Sequence, residues 1–340
     1  MAALMVLAVS CKKEPKVQSP SVKTLEATDI QITGATLNGE IDLADGEYNS
    51  ITCGFYWGAA EDALDTYLEG GDVTDGTFSA SLTGLSPETQ YWYKAYAELD
   101  DRTFSGEVKS FTTNPLPEGA VDLGIVMTRE DGTTYNLYWA KSNLCEDGLC
   151  PNPEDYGDYY AWGETAPHYS SRDPLVWKSG KTGGYTWASY SLCDASSAAL
   201  NKYNYNTSYG IVDNMTEFKD YGYVHDAARA NKKLGGKWRI PTVAEWTELR
   251  TKCTWMWTSQ NGVNGRLVTA PNGKRIFLPA AGKWEWTNLS NDGINGGCWS
   301  SSLFMGGPVD ACYVYFDSED VGGYSYNRCF GFSVRPVYEE

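Results

Sequence analysis

Cysteine, histidine and carboxylate side chains carry most protein reaction chemistry, and this chain has nine cysteines but only two histidines, His168 and His225. A thiol serves as nucleophile, metal ligand or disulfide half according to its surroundings. The spacing here favours disulfides. Cys145 and Cys150 are close enough in sequence to bridge a small loop, and Cys193 with Cys253 is a second pairing. No Cys-x-x-Cys pair occurs, so a zinc site lacks its usual ligands. We expect no metal and no cofactor. His225 lies in a helix-like stretch and reads as a satisfied histidine. With so few histidines, no Ser-His-Asp arrangement is suggested. Glu164, in "YAWGET", has the chemistry of a general acid, but a lone carboxylate making structural hydrogen bonds is the commoner role. The acidic loops "DGEYN" and "NDGINGG" offer oxygens to calcium without EF-hand spacing.

A different chemistry, recognition, is concentrated at the end of the chain. Residues 310–337 read "DACYVYFDSEDVGGYSYNRCFGFSVRPV", with four tyrosines and two cysteines set among Gly, Ser and Asp. Tyr and Phe give large, rigid contact area at low entropy cost, and small polar residues adapt around them. Read as a strand, "ACYVYFDS" places Ala311, Val314 and Phe316 inward and Tyr313, Tyr315 and Asp317 outward. The competing reading makes Tyr313, Tyr315, Tyr324 and Tyr326 half-buried strand aromatics that only pack.

These residues need scaffolds. At 340 residues the chain holds two or three domains, and 42% hydrophobic with 14% aromatic content suits packed globular units. Thirty-five glycines and fourteen prolines, with few long helical patterns, lean the class to β or α+β. A formal net charge of −17 repels phosphate backbones, which sets nucleic acids aside, and anionic lipid surfaces with them.

The first twenty residues read as a signal and tether. Ala2 to Val9 form an apolar run too short to span a bilayer. "LAVSC" resembles a bacterial lipobox, which implies that Cys11 is lipidated and anchors the chain to the outer membrane, in an oxidising compartment. "KKEPKVQSPS" follows as a polar tether.

Residues 21–114 alternate with period two in "ITGATLNGEIDL", "ITCGFYWG" and "QYWYKAYAEL", the marks of an all-β sandwich. "LTGLSPETQYWYKAYA" resembles the fibronectin type III pattern, with Tyr91, Tyr93 and Tyr96 filling a core or corner. That likeness implies a spacer without a catalytic site. "NPLPEGA" is a linker.

In residues 120–340 a capping box, Thr242 with Glu245, predicts a helix over 242–252, and "YVHDAARANKKL" predicts another over 223–234. "YAWGET", "LGGKWRIPTVAEWTELRTKCTW", "NGKRIFLPAAG", "CWSSS" and "GFSVRPV" resemble, in order, the Fibrobacter succinogenes major paralogous domain. That family is similar to the α+β C-type lectin-like fold shared with formylglycine-generating enzymes. The lectin triplets Glu-Pro-Asn and Gln-Pro-Asp, which hold sugar-binding calcium, are absent.

The C-terminal part is similar to the variable region of proteins diversified by retroelements, here about 283–330. In such proteins an error-prone reverse transcriptase rewrites adenines in AAC or AAT codons, so Trp, Met, Gln, Lys and Glu are not reached. The resemblance makes Cys298, Phe304, Gly306, Gly307, Val309, Asp310, Cys312, Tyr313, Tyr315, Asp317, Asp320, Gly322, Gly323, Tyr324, Ser325, Tyr326, Cys329 and Phe330 the variable, ligand-binding positions, and all fit the permitted set. Trp284, Glu285 and Trp286 do not fit it. The implied protein is a Bacteroides-type surface lipoprotein, not an enzyme. Its partner would be a protein or glycan on another cell, host or phage, and display at a pilus tip would add pilus subunits. A fixed-specificity adhesion or carbohydrate-binding module is the first alternative, and an oxidase using Cys312 and Cys329 is a lesser one.

Overall fold

The computed structural model describes residues 19–44, 47–235 and 237–340. Cys11 and the lipobox lie outside them. The chain divides into two compact units between Leu116 and Pro117.

Unit 1 is a β-sandwich. Its strands are β1 (Ser21–Thr24), β2 (Gly34–Asp42), β3 (Ile51–Gly58), β4 (Thr66–Glu69), β5 (Thr77–Thr83), β6 (Gln90–Leu99), β7 (Arg102–Ser105) and β8 (Lys109–Thr112). One sheet has the order β1-β2-β5; the other runs β4-β3-β6-β7, with β8 also on β6. Alternation along β6 sends Tyr91, Tyr93, Ala95, Ala97 and Leu99 into the core and leaves the residues between them half-exposed. The buried phenols find partners, as they must. Tyr93 donates to the Leu25 carbonyl at 2.7 Å, and Tyr91 accepts from the Ser86 amide at 2.9 Å across the Ser-Pro turn. Tyr96 lies on the outer side of β6, edge-on to Tyr56 at 5.1 Å. It therefore does not fill the core with the other two.

Unit 2 is built from many short strands and one substantial helix. Among them, in chain order, are β9 (Ala120–Thr128), β10 (Thr134–Ala140), β11 (Tyr159–Tyr160), α1 (Ala227–Ala230), β12 (Trp238–Arg239), α2 (Val243–Lys252), β13 (Thr254–Gln260), β14 (Val263–Thr269) and β15 (Arg275–Pro279). They are followed by β16 (Lys283–Glu285), β17 (Asn288–Ser290), β18 (Gly296–Leu303), β19 (Asp310–Phe316), β20 (Val321–Asn327), β21 (Phe332–Ser333) and β22 (Val337–Glu339). The C-terminal β22 pairs with β10 in a four-stranded sheet, β12-β22-β10-β9. A five-stranded sheet, β11-β21-β18-β19-β20, carries most of the aromatic C-terminal stretch.

Helix α2 begins as its sequence predicts. Thr242 accepts from the Glu245 amide at 3.2 Å, and Glu245 answers at the Thr242 amide at 2.8 Å. The helix predicted over 223–234 is only the single turn α1. Tyr223 takes a left-handed φ of 64°, Asp226 caps the Ala228 and Arg229 amides, and Asn231 is already extended. The polar run after Ala230 has no apolar stripe to hold a longer helix against the core.

Cys145 and Cys150 are joined by a disulfide. Cys193 and Cys253 are not. Cys193 is packed among Tyr190, Leu192 and Leu200, whereas Cys253 belongs to a separate cluster with Trp246, Leu249 and Val268.

A candidate ligand-binding face

The site rests on the register of β18, β19 and β20. Trp299 faces Tyr313, and Tyr313 faces Tyr324; Ala311 faces Tyr326, and Tyr315 faces Gly322. Side chains opposite one another share a face. One face therefore carries Trp299, Ala311, Tyr313, Tyr315, Tyr324 and Tyr326. The other carries Cys298, Cys312, Val314, Phe316, Gly323 and Ser325. Of these, Cys298, Val314 and Phe316 join the core that includes Trp246 and Leu249 of α2.

Ala311 was expected opposite Tyr313, but period two puts the two on one side. Ala311 is buried in the aromatic core, paired with Leu303 after the irregular stretch of β18 between Trp299 and Leu303. Tyr313 is the floor of the face, not its surface. It is only 9% exposed, and its ring lies 4.8 Å from Phe332 and 6.1 Å from both Trp299 and Tyr326. Cys298, Cys329 and Gly322 are also buried, contrary to their expected place on an accessible surface. Cys298 is held by α2's core, and Cys329 is inside the aromatic core beneath the face. Burial pushes both thiols up to about 12, far from the thiolate range.

Above this floor lies the accessible layer. Tyr324 is 48% exposed and packs edge-on against Tyr315 at 5.7 Å. Tyr326 stands 5.6 Å from Phe330, and Phe330 stands 5.6 Å from Trp286. Each phenol is tied to a carboxylate: Tyr315 to Asp317 at 2.7 Å, Tyr324 to Asp320 at 2.6 Å, and Tyr326 to Glu285 at 2.7 Å. Asp317 also accepts from the amides of Glu319 and Asp320, which sets the hairpin turn. The Tyr315 phenol is pushed up to about 12 by burial and by the bonded Asp317. The turn after β18 adds Phe304 and the exposed Met305, with Gly306, Gly307 and the half-buried Val309. Asp310 bonds to Asn327 at 3.1 Å, away from the tyrosines. Cys312 is half-buried, its thiol raised by burial.

Sequence reasoning missed three members of this face, Lys283, Glu285 and Trp286. The hairpin β16–β17 docks by a bridge between Trp284 and Gly331, so Trp284 is buried while Trp286, at φ 51°, is 58% exposed. Lys283 places its ammonium 3.8 Å from the centre of the Tyr326 ring and 3.0 Å from Glu285. A tryptophan in a polar hairpin was the available signal. Its contact with residues more than forty positions away was not legible.

Buried arginines fix the edges. Arg328 is fully buried and donates to the carbonyls of Lys202, Tyr203 and Pro308 and to the Tyr190 hydroxyl, at 2.6–3.1 Å. Arg335 does the same with the Ala140 and Phe277 carbonyls and the Asn143 side chain. Burial lowers the Arg335 guanidinium to about 10.

Glu164 is a structural carboxylate. It binds His168 and accepts from Lys181 at 2.9 Å and from the Ser191 amide at 2.7 Å. Burial pushes its carboxyl up, but the His168 and Lys181 bonds overcome this and hold it at about 2. A general acid needs the opposite shift. Its folded pKa lies below the ordinary 4.5, so the stability it contributes is complete above that value and is lost as pH falls from 4.5 toward about 2. Glu164→Gln is expected to remove that part of the acid transition, measured as unfolding midpoints across this window. An unchanged profile would exclude the linkage. Among the described residues no group of three metal-binding side chains is found.

No family model and no curated protein matches the chain. Among solved structures, the sensor domain of the anti-sigma factor RsgI4 from Pseudobacteroides cellulosolvens aligns over 30% of this chain and all of that one, at 18% identity and a TM-score of 0.25. A human fibronectin type III domain, from fibronectin type III domain containing protein 3, aligns over 32% of this chain and 96% of its own, at 19% identity and a TM-score of 0.22. A redesigned β-sandwich protein aligns over 29% of this chain and 97% of its own, at 22% identity and a TM-score of 0.22. Among the described residues no helix is long and apolar enough to cross a membrane.

Proposed function

We propose that this protein is a surface lipoprotein whose second unit, a C-type lectin-type domain, binds a macromolecular ligand through the tyrosine face and is retargeted by retroelement-driven codon change. Unit 1 serves as a fibronectin-like spacer, the lipid on Cys11 anchors the chain, and display at a pilus tip is a compatible setting. The ligand is a protein or glycan on another cell, a host or a phage.

One observation carries the reading. In the C-terminal stretch an exposed aromatic layer lies beside fully packed framework residues. Tyr324, Tyr326, Phe330 and Phe304 present their rings to solvent at least in part, and a methyl group added at Gly307 meets no atom within 4 Å. Arg328, Trp299, Ser300 and Ser301 are fully packed. Cys298, Cys329, Gly322 and Tyr313 move to the packed group, which leaves a smaller variable set than the codon pattern alone implies. An oxidase working through Cys312 and Cys329 is disfavoured, because burial raises both thiols.

Sequencing the DNA beside the gene tests this. We expect a reverse transcriptase gene and a near-repeat of codons 275–337 that differs only at adenines. Differences should cluster at the exposed positions and spare Tyr313, Cys298 and Cys329. With neither element present, the face belongs to a fixed-specificity adhesion module.

A further inference from the structure

The face carries a pattern that specifies its ligand more closely. Lys283 shows how the surface treats a cation: its ammonium donates to the Tyr326 hydroxyl at 2.5 Å and pairs with Glu285 at 3.0 Å, with the ring centre 3.8 Å away. Phenol oxygen and carboxylate together form a slot for a cation, with the ring alongside. The same pairing of phenol and carboxylate recurs at Tyr324 with Asp320 and at Tyr315 with Asp317. Among the described residues, no lysine or arginine side chain forms an ion pair with Asp317 or Asp320. Arg266 acts on Asp317 through space, but it is 7% exposed and its two terminal nitrogens donate to the carbonyls of Trp255 and Asp320. It lends Asp317 a favourable field without closing a salt bridge, and Arg250 acts at longer range on Tyr324. The chain's net charge of −17 adds to the same preference.

We propose that this face takes a protein segment presenting an arginine or lysine, whose cation occupies the Tyr324–Asp320 and Tyr315–Asp317 slots as Lys283 occupies the Tyr326–Glu285 slot. This deepens the ligand-binding reading and rests on it.

The probe is a phage-displayed library of random linear peptides, selected on the full chain and counter-selected on Tyr324→Ser. We expect Tyr324-dependent peptides enriched in arginine or lysine. Replacing that arginine by citrulline, or that lysine by acetyl-lysine, should weaken binding about tenfold. Asp320→Asn, which keeps an acceptor for the Tyr324 hydroxyl, should weaken it similarly. Lys283→Gln, which empties the third slot, should tighten it. Tyr324-dependent peptides without basic enrichment, or indifference to citrulline, would overturn the cation slot while leaving the face as a binding site. Failure to obtain any Tyr324-dependent peptide would overturn both. Asp320→Asn binding at full strength, or Lys283→Gln leaving affinity unchanged or weaker, would overturn the slot geometry.

Discussion

Arg328→Ala is expected to lower the stability of unit 2 by about 4 kcal/mol, among the larger effects a single substitution has. The side chain is fully buried and meets the carbonyls of residues 202, 203 and 308, which lie on two separate loops. Its removal leaves those carbonyls without a donor, each at a cost of about 1–3 kcal/mol, partly recovered if water enters. It also removes the cation from the faces of Trp162 and Tyr190, where it stands 5.4 and 5.5 Å from the ring centres. Denaturant unfolding followed by tryptophan fluorescence reads this directly. The transition of unit 2 should move to lower denaturant and that of unit 1 should stay. A loss below about 1 kcal/mol would show that the loops hold themselves. Arg328→Lys should recover only part, since an ammonium cannot span three carbonyls with a planar fork.

The second large effect separates two tyrosines of one strand pair. Tyr313→Ala is expected to cost about 3 kcal/mol, because it opens a cavity among Trp299, Phe332 and Tyr326. Tyr324→Ala should cost less than about 1 kcal/mol, because nearly half of the ring already faces water. Binding should reverse the order of importance per unit of stability: Tyr324→Ala abolishes capture of selected ligands by a folded protein. Equal stability losses would mean that both rings belong to the core, and the face would then be packing alone. Thermal unfolding of the two variants, with ligand capture on the folded fraction, gives both readings at once.

Much of this architecture is written locally. The alternation of "QYWYKAYAEL" puts Tyr91 and Tyr93 inside, and the Thr242–Glu245 box starts α2, because strand period and capping act over a few residues. What failed depends on distance. Cys193 and Cys253 looked like partners, but a sequence does not say which core a thiol enters. Codon compatibility nominated Cys298 and Cys329, yet whether a codon can change says nothing about whether its side chain is buried. The contact of 283–286 with 326–331 depends on how a hairpin docks, and no local pattern records that. The tyrosine face was legible as a tendency of composition. Its floor, rim and ion pairs needed the register.

The alternation of β19 between two environments has a further consequence. Tyr313 and Tyr315 look toward one side of the sheet, while Val314 and Phe316 are committed to the core beside α2. A substitution at Val314 or Phe316 therefore falls on the folding core, and one at Tyr315 falls on the accessible side, although the two kinds of position alternate along one strand. Tyr313 shares the side of Tyr315 but is already packed, so the pleat alone does not make a position free. Were the codons of this stretch rewritten as proposed, the tolerated changes would be fewer than the codons reached, because neighbouring residues answer to different environments.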